Sequence, residues 1–359
     1  MHNAVGGEQV EEAVTHCVAL LRTVADRDWE GVTAGRLEWS CRQTADHIPH
    51  AFLMYAAQLA GRGHATRVPL RITVAEGTDN AGALQAIEAT AAVLVTTIRS
   101  APRAVRGFHP YPFRSANREG FAAMGVAEVL LHTHDITEGL GVAYEPPAEL
   151  STFVLTRIFP HVQPGPSPWQ TLLWATGRAD LPGRAPVTEW CWYNNPVLPT
   201  DRLTLEGVTP AAAMDLASGG DGGFTWLTGG PIEGTREGAG IGVKQYEAGV
   251  LRPQWGMYVL VRREDDRAVG AMGFHGAPDE DGRVEVGYDL VPDARGHGYA
   301  TEALRALSAW SLRQDGVRAV TAVIDRANVP SQNVVTRAGF TRVAENEEQL
   351  VYELRASRD

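Results

Sequence analysis

The chain has 359 residues, 44% hydrophobic and 21% charged, an ordinary make-up for a soluble globular protein that excludes a chain disordered throughout. Its length is roughly two to three times that of a typical domain, so two modules are expected. Lys and Arg number 32 against 43 Asp and Glu, a net charge of −11; with no long basic block, this argues against nucleic acid as a partner.

The cysteines, Cys17, Cys41 and Cys191, cannot all pair within one chain and form no C-x-x-C spacing, which favours a reducing compartment. The opening MHNAVGGEQVEEAV lacks a basic region followed by an apolar stretch, and no later segment offers about 18 uncharged apolar residues. A cytoplasmic protein with no membrane partner is expected.

Apolar residues at Val10, Val14, Cys17, Leu21 and Val24 fall at helical spacing and predict an amphipathic helix within 8–28. A second helix is predicted over 44–59 on the stripe Ile48, Phe52, Tyr55 and Leu59. A third covers 82–98, and a fourth runs over 120–140 until Gly141 stops it. Together they predict an all-α four-helix bundle with a helical extension over 148–179. The Pro- and Trp-rich stretch 181–200 reads as an ordered connection or packed tail.

After it the period changes. Runs at 257–261 and 268–274, joined by RREDDR, predict a hairpin. Val284, Val286, Tyr288 and Leu290 alternate with Glu285, Gly287 and Asp289, the pattern of a strand with two different faces. A helix over 298–312, a strand over 317–324, a helix over 331–338 and a strand over 349–354 complete an α+β module. The boundary falls near Thr200, dividing the chain into 1–199 and 200–359, with a first strand at 202–205. The glycine-rich piece 219–242 reads as a loop or lid candidate, or simply a long surface insertion.

The strand at 284–291 runs into DARGHGYATEAL. Two glycines and the small Ala300 let a turn aim successive backbone N–H groups at phosphate oxygens, and the following helix adds its positive end. Tight turns also need glycine, so spacing alone leaves an anion site and a plain turn both open.

From Arg283 to Phe340, including the downstream DRANVPSQNVVTRAGF, the sequence resembles the core of the GNAT superfamily of N-acetyltransferases, especially the branch related to ribosomal-protein alanine acetyltransferases. Arg295, Gly298 and Ala300 match its Q/R-x-x-G-x-G/A signature. The resemblance implies an α+β acyl-CoA N-acyltransferase fold with a mixed, splayed central sheet, and acetyl-CoA as cofactor. It implies that the backbone around Leu290 and Val291 binds the pantetheine arm, while Arg295, Gly296, His297, Gly298, Tyr299 and Ala300 grip the pyrophosphate. Asn328 matches a position that contacts the cofactor, and Ser331 one that holds or protonates the departing sulfur; both also read as turn and helix-cap residues.

Glu285 is the candidate general base, since a carboxylate can take an amine's proton directly or through water. It matches the glutamate used in related amino-terminal acetyltransferases; a solvent-facing or substrate-recognition acid is the alternative. Val335 stands where many superfamily members carry a general-acid tyrosine, which leaves proton return to Ser331, another group or water. Trp226 and Trp255 are candidate walls of an acceptor pocket, with core packing as the commoner role.

In the helical half, Glu128 and His132 lie four residues apart, on one helix face a turn apart, and His47 on the second helix is placed to meet them. Two imidazoles and one carboxylate leave a coordination position open, which suits catalytic zinc or another divalent metal; an ordinary buried network is the alternative. WSCRQTADHIPHA, AEVLLHTHDITEGLG and LLWATGRADLPG resemble segments of the DinB-like, mycothiol-dependent maleylpyruvate isomerases. That resemblance implies His47, Glu128 and His132 as the metal triad with Asp135 behind it; His50 and His134 are retained as alternatives. Gln43 replaces the usual acid of the first motif, and Cys17 and Cys41 read as packed helical residues.

The sequence therefore predicts an acetyl-CoA-dependent N-acetyltransferase fused behind a DinB-like domain. Its partner is an amine of a small molecule or peptide, with a homodimer left open. Two alternatives stand beside it: metal- and thiol-dependent isomerisation or transfer in the first module, and a nonenzymatic acyl-CoA or ligand sensor of the resistance type.

Overall fold

The computed structural model describes residues 6–63 and 65–355, so the start of the opening segment read for a leader lies outside the described residues. The chain divides into two compact units between Asn194 and Asn195. Each has its own apolar core.

The first unit is built on α1 (Gly7–Arg22), α2 (Cys41–Gly61), α3 (Asn80–Ser100) and α4 (Arg118–Gly139). Their starts carry side-chain caps where the sequence supplies them: Asp79 accepts from Gly82 N–H, Asn117 from Gly120 N–H, and Ser40 and Gln43 form a reciprocal capping box. The departure at Gln43 is thus a helix cap. α1 and α2 each pack against both α3 and α4, so the four helices close around a shared core. α4 is buried on almost every face, as its all-round apolar composition requires. By length and composition α3 could cross a membrane; its apolar residues Leu84, Ile87, Leu94 and Ile98 are instead fully buried in this core.

A short hairpin of β1 (Arg106–Phe108) and β2 (Ser115–Asn117) leads into α4. The single helical extension expected over 148–179 is two helices, α5 (Ala148–Ile158) and α6 (Pro168–Ala175). Pro160, Pro164 and Pro166 between them supply no backbone N–H and break the helix.

The second unit is a mixed α+β sheet. Its strands are β3 (Val197–Pro199), β4 (Leu203–Gly207), β5 (Thr225–Trp226), β6 (Met257–Arg262), β7 (Arg267–Phe274), β8 (Arg283–Leu290), β9 (Ala319–Asp325), β10 (Thr341–Glu345) and β11 (Gln349–Arg355). They are ordered β10-β11-β9-β8-β7-β6-β4-β3, with β5 alongside β7. Its helices are α7 (Pro210–Ala217), α8 (Glu233–Glu247), α9 (Tyr299–Ser311) and α10 (Val329–Ala338).

Two expectations are corrected here. β3 pairs with β4, so the sheet begins ahead of the strand expected at 202–205. The glycine-rich stretch 219–242 is a loop only in part: turns over 219–224 and 227–232 flank β5, and 233–242 form most of α8. Glycine disfavours a helix by about 1 kcal/mol per residue, yet two of the glycines of α8, Gly234 and Gly238, lie close against neighbouring side chains. A Cβ at Gly234 would stand 2.8 Å from the Asp289 carboxylate, and one at Gly238 3.2 Å from the Met257 sulfur. Tertiary packing overrides local propensity.

Candidate functional site

The chemistry of the second unit gathers where β8 meets β9. These strands are parallel, and their registered pairing covers only Arg283, Val284 and Glu285 against Ala319, Val320 and Thr321. Beyond Glu285, β8 pairs with β7 alone and β9 with β11 alone, so a gap opens between them.

The main chain of β8 decides what faces this gap. Val291 N–H donates to Val269 O at 3.0 Å, and Val291 O accepts from Ala294 N–H at 2.9 Å. Val291 is therefore committed within the fold, contrary to its expected role on the pantetheine arm. Alternation along an antiparallel ladder turns the backbone groups of Leu290 and Tyr288 the other way, toward the gap. Leu290 O there accepts from Arg295 Nε at 3.2 Å.

At the mouth of the gap, Gly296 and Gly298 both adopt φ +81°, a left-handed conformation that side chains disfavour. Nothing lies within 4 Å of a Cβ built at Gly296, so the loop is open on that side. Glu302 N–H bonds Gly298 O at 3.0 Å as α9 begins, which leaves the preceding N–H groups directed out of the helix end. Tyr299 and Ala300 are buried in the first turn.

The sequence reading missed what holds this loop. Arg202 donates to His297 O at 2.9 Å, ion-pairs with Glu302 at 2.7 Å and lies over the Tyr299 ring at 4.8 Å. Thr200 Oγ1 also donates to Glu302, at 2.6 Å. Burial pushes the Glu302 carboxyl up, but the Thr200 and Arg202 donors outweigh it and hold the group below its usual range. No motif flags Arg202, because its partners lie about a hundred residues away.

Asn328 Oδ1 accepts from Ser331 N–H at 3.1 Å and caps α10. Tyr288 Oη donates to Ser331 O at 3.1 Å. Trp226 and Trp255 belong to the core, Trp255 against Phe274 and Trp310. The walls of the neighbouring cavity, about 230 Å³, come instead from α8, β7 and β8, and include Gly234, Gly238, Met257, His275, Gly287 and Asp289. Burial raises the Asp289 carboxyl above its usual range despite bonds from Thr235 Oγ1 at 2.9 Å and Ala271 N–H at 3.1 Å. Glu285 lies on the same face of β8, with its carboxylate 3.1 Å from His275 Nδ1.

Residues 202–341 match the family model described as Acetyltransferase (GNAT) domain. The second unit is a GNAT-like domain. Over 83 residues the chain is 34% identical to the uncharacterized N-acetyltransferase YjdG of Bacillus subtilis, covering 23% of this chain and 49% of that one. Over 92 residues it is 28% identical to the uncharacterized N-acetyltransferase p20 of Bacillus licheniformis, covering 26% and 52%. The chain thus spans about half the length of the curated relatives it matches. Among solved structures, a GNAT-family acetyltransferase from Bacillus anthracis aligns at 16% identity and TM-score 0.33, covering 44% of this chain and 98% of its own. An acetyltransferase from Agrobacterium tumefaciens aligns at 24% identity and TM-score 0.33, covering 47% and 100%. The GNAT-like match leaves the first unit outside it.

That unit has a polar centre of its own. His47 from α2 meets Glu128 and His132 from α4, their ligand atoms all within 4.8 Å of one another. Glu128 Oε2 is 3.2 Å from His132 Nε2 and 3.6 Å from His47 Nε2, while Tyr55 Oη donates to Glu128 Oε1 at 2.6 Å. Burial alone pushes the Glu128 carboxyl up, but the two imidazoles outweigh it and hold the group well below the usual range.

His132 Nδ1 lies 3.1 Å from Asp135, which also receives Nε and Nη2 of Arg178 at 2.9 Å each. This orients Nε2 of His132 toward the cluster. The alternatives lie elsewhere: His50 Nδ1 accepts from Ile72 N–H at 3.2 Å, and His134 packs edge-on against Trp169. Cys17 and Cys41 are buried, and burial raises both thiols to about 11. A cavity of about 380 Å³ opens onto the triad, lined also by Trp39, Arg178, Trp190 and Trp192.

Proposed function

We propose that the chain is an acetyl-CoA-dependent N-acetyltransferase whose second unit transfers acetyl to an amine of a small molecule or peptide. The observation that carries this reading is the β8–β9 junction, which ends at Glu285 and opens a gap with the Gly296 and Gly298 loop at its mouth. The match of residues 202–341 to the GNAT domain supports it. The free cysteines fit a reducing, cytoplasmic setting.

The residues present fit acetyl-CoA. Backbone N–H groups at the start of α9 would hold its pyrophosphate, and the gap-facing backbone of Leu290 and Tyr288 its pantetheine arm. When bound, the cofactor supplies an activated acetyl thioester. Glu285 assists removal of the acceptor's proton, backbone N–H groups polarise the acetyl carbonyl, and Ser331 or Tyr288 returns a proton to the departing sulfur.

For the first unit, we propose a DinB-like domain that binds a divalent metal. The donor set fits zinc: His47, Glu128 and His132 would hold it, with Asp135 fixing His132. Bound there, zinc would supply a Lewis acid beside the Trp-lined cavity. The convergence of these donors also favours the metal part of the second reading, metal- and thiol-dependent chemistry in this unit.

Labelled acetyl-CoA, offered to the full chain with pooled amines and peptides, separates these readings. Labelled product that survives chelation supports the transferase. Acetylated product that disappears on chelation and returns with zinc makes the metal a requirement of the transfer, whereas zinc-dependent turnover of a thiol substrate with no acetylated product moves the chemistry to the first unit. CoA binding without transfer to any acceptor supports a sensor.

A further inference from the structure

The register of β7 and β8 sets Phe274 opposite Val286, and one further step sets His275 opposite Glu285. The ladder does continue: His275 N–H donates to Glu285 O at 3.0 Å. Directly opposed residues present their side chains on the same face, which is why His275 Nδ1 and Glu285 Oε1 stand 3.1 Å apart. Gln245 Nε2 of α8 donates to His275 O at 2.8 Å and steadies the backbone.

Nδ1 stands at contact distance from the carboxylate, and an imidazole that carries its proton on Nδ1 keeps Nε2 as its free acceptor. In His275 that nitrogen lies over Gly287, so close that a Cβ there would stand 2.9 Å from it. Both His275 and Gly287 line the cavity of about 230 Å³, whereas Glu285 does not. The cavity's other charged walls are Glu237 and Asp289, and no Lys or Arg is among its lining residues, an environment suited to a cationic amine.

From this geometry we infer that His275 takes the proton from the acceptor amine, and that Glu285 is a positioning residue that fixes the tautomer and steadies the imidazolium. The inference rests on the acetyltransferase reading and changes what Glu285 does within it. The acceptor, held as an ammonium, first gives one proton to solvent; its neutral nitrogen then forms its bond to the acetyl carbon and the carbon–sulfur bond breaks, the electron pair leaving on sulfur. The amine's N–H proton passes to Nε2 of His275. The sulfur takes a proton from a nearby hydroxyl or water, and the imidazolium returns its own to solvent.

The test uses the full chain, labelled acetyl-CoA and a panel of aliphatic diamines, aminoglycosides and dipeptides, with CoA affinity measured separately by calorimetry. Imidazole is then added to each variant. His275→Ala is expected to lower kcat about a hundredfold, to leave the acceptor KM and CoA affinity within twofold, and to regain activity with imidazole. Glu285→Gln is expected to lower kcat about tenfold at unchanged CoA affinity, without rescue by imidazole. His275→Ala with wild-type kcat, or a loss that imidazole does not repair, overturns the assignment. Absence of CoA binding by the wild-type chain, or CoA binding without transfer to any panel member, overturns the transferase reading and this inference with it.

Discussion

Tyr288 donates its hydroxyl to Ser331 O at 3.1 Å, joining the strand on one side of the gap to the first turn of α10 on the other. Val335, at the position where many GNAT members carry an acidic tyrosine, is fully buried in the core. Burial pushes the Tyr288 phenol up to about 12, so at neutral pH it keeps the proton that it shares with Ser331 O, and giving that proton to the sulfur would break this bond. Tyr288→Phe is expected to lower kcat at least tenfold with CoA affinity unchanged. Steady-state turnover equal to wild type would remove Tyr288 from proton return.

Gly287 is required because of what lies above it. A methyl group there meets His275 Nε2 at 2.9 Å, so Gly287→Ala displaces the ring and narrows the cavity. Transfer falls at least tenfold while CoA binding, measured by calorimetry, stays at the wild-type level. An unchanged transfer rate would mean that the ring's position is immaterial.

Glu302 gives the second unit a defined pH response. Its carboxyl is held below the usual range, so the folded state favours the ionised form. That stabilisation is fully present above the unfolded pKa, near 4.5, and is lost as pH falls through the depressed folded value. Glu302→Gln is therefore expected to cost about 1 kcal/mol at pH 7, with the difference from wild type shrinking below pH 4.5. Denaturant melts at a series of pH values check this; a gap that persists unchanged in acid assigns the loss to packing.

Asp135 is the lever on the first unit. It carries both His132 and Arg178, so Asp135→Asn frees the imidazole without touching a donor of the triad. Zinc affinity, read by competition with a chromophoric chelator, is expected to fall about 10- to 100-fold. Equal affinity in variant and wild type would separate Asp135 from the metal site.

Much of this architecture was legible from pattern. Helical stripes such as Val10, Val14, Cys17 and Leu21 became the buried face of α1, and the alternation of Val284 and Val286 with Glu285 and Gly287 became β8. The spacing of Glu128 and His132 placed them on one face, and His47 does lie beside them.

What escaped depends on contacts distant in sequence. α8 was hidden because its glycines oppose a helix locally; Gly234 and Gly238 pack closely against Asp289 and Met257, which lie far along the chain. Arg202 reaches His297 and Glu302 across the fold. His275 became visible only through strand register, since nothing in its own neighbourhood marks it. Val291 was misread because sequence cannot tell which way a strand residue turns its backbone; its N–H points to Val269.

Calorimetric titration of the full chain with acetyl-CoA, beside its Gly298→Val variant, tests the central claim most directly. Gly298 holds φ +81°, where a branched side chain costs about 1–2 kcal/mol and disrupts the start of α9. The account predicts saturable one-to-one binding by the wild type and a loss of affinity of at least tenfold in the variant. No binding by the wild type, or equal binding by both, would contradict it.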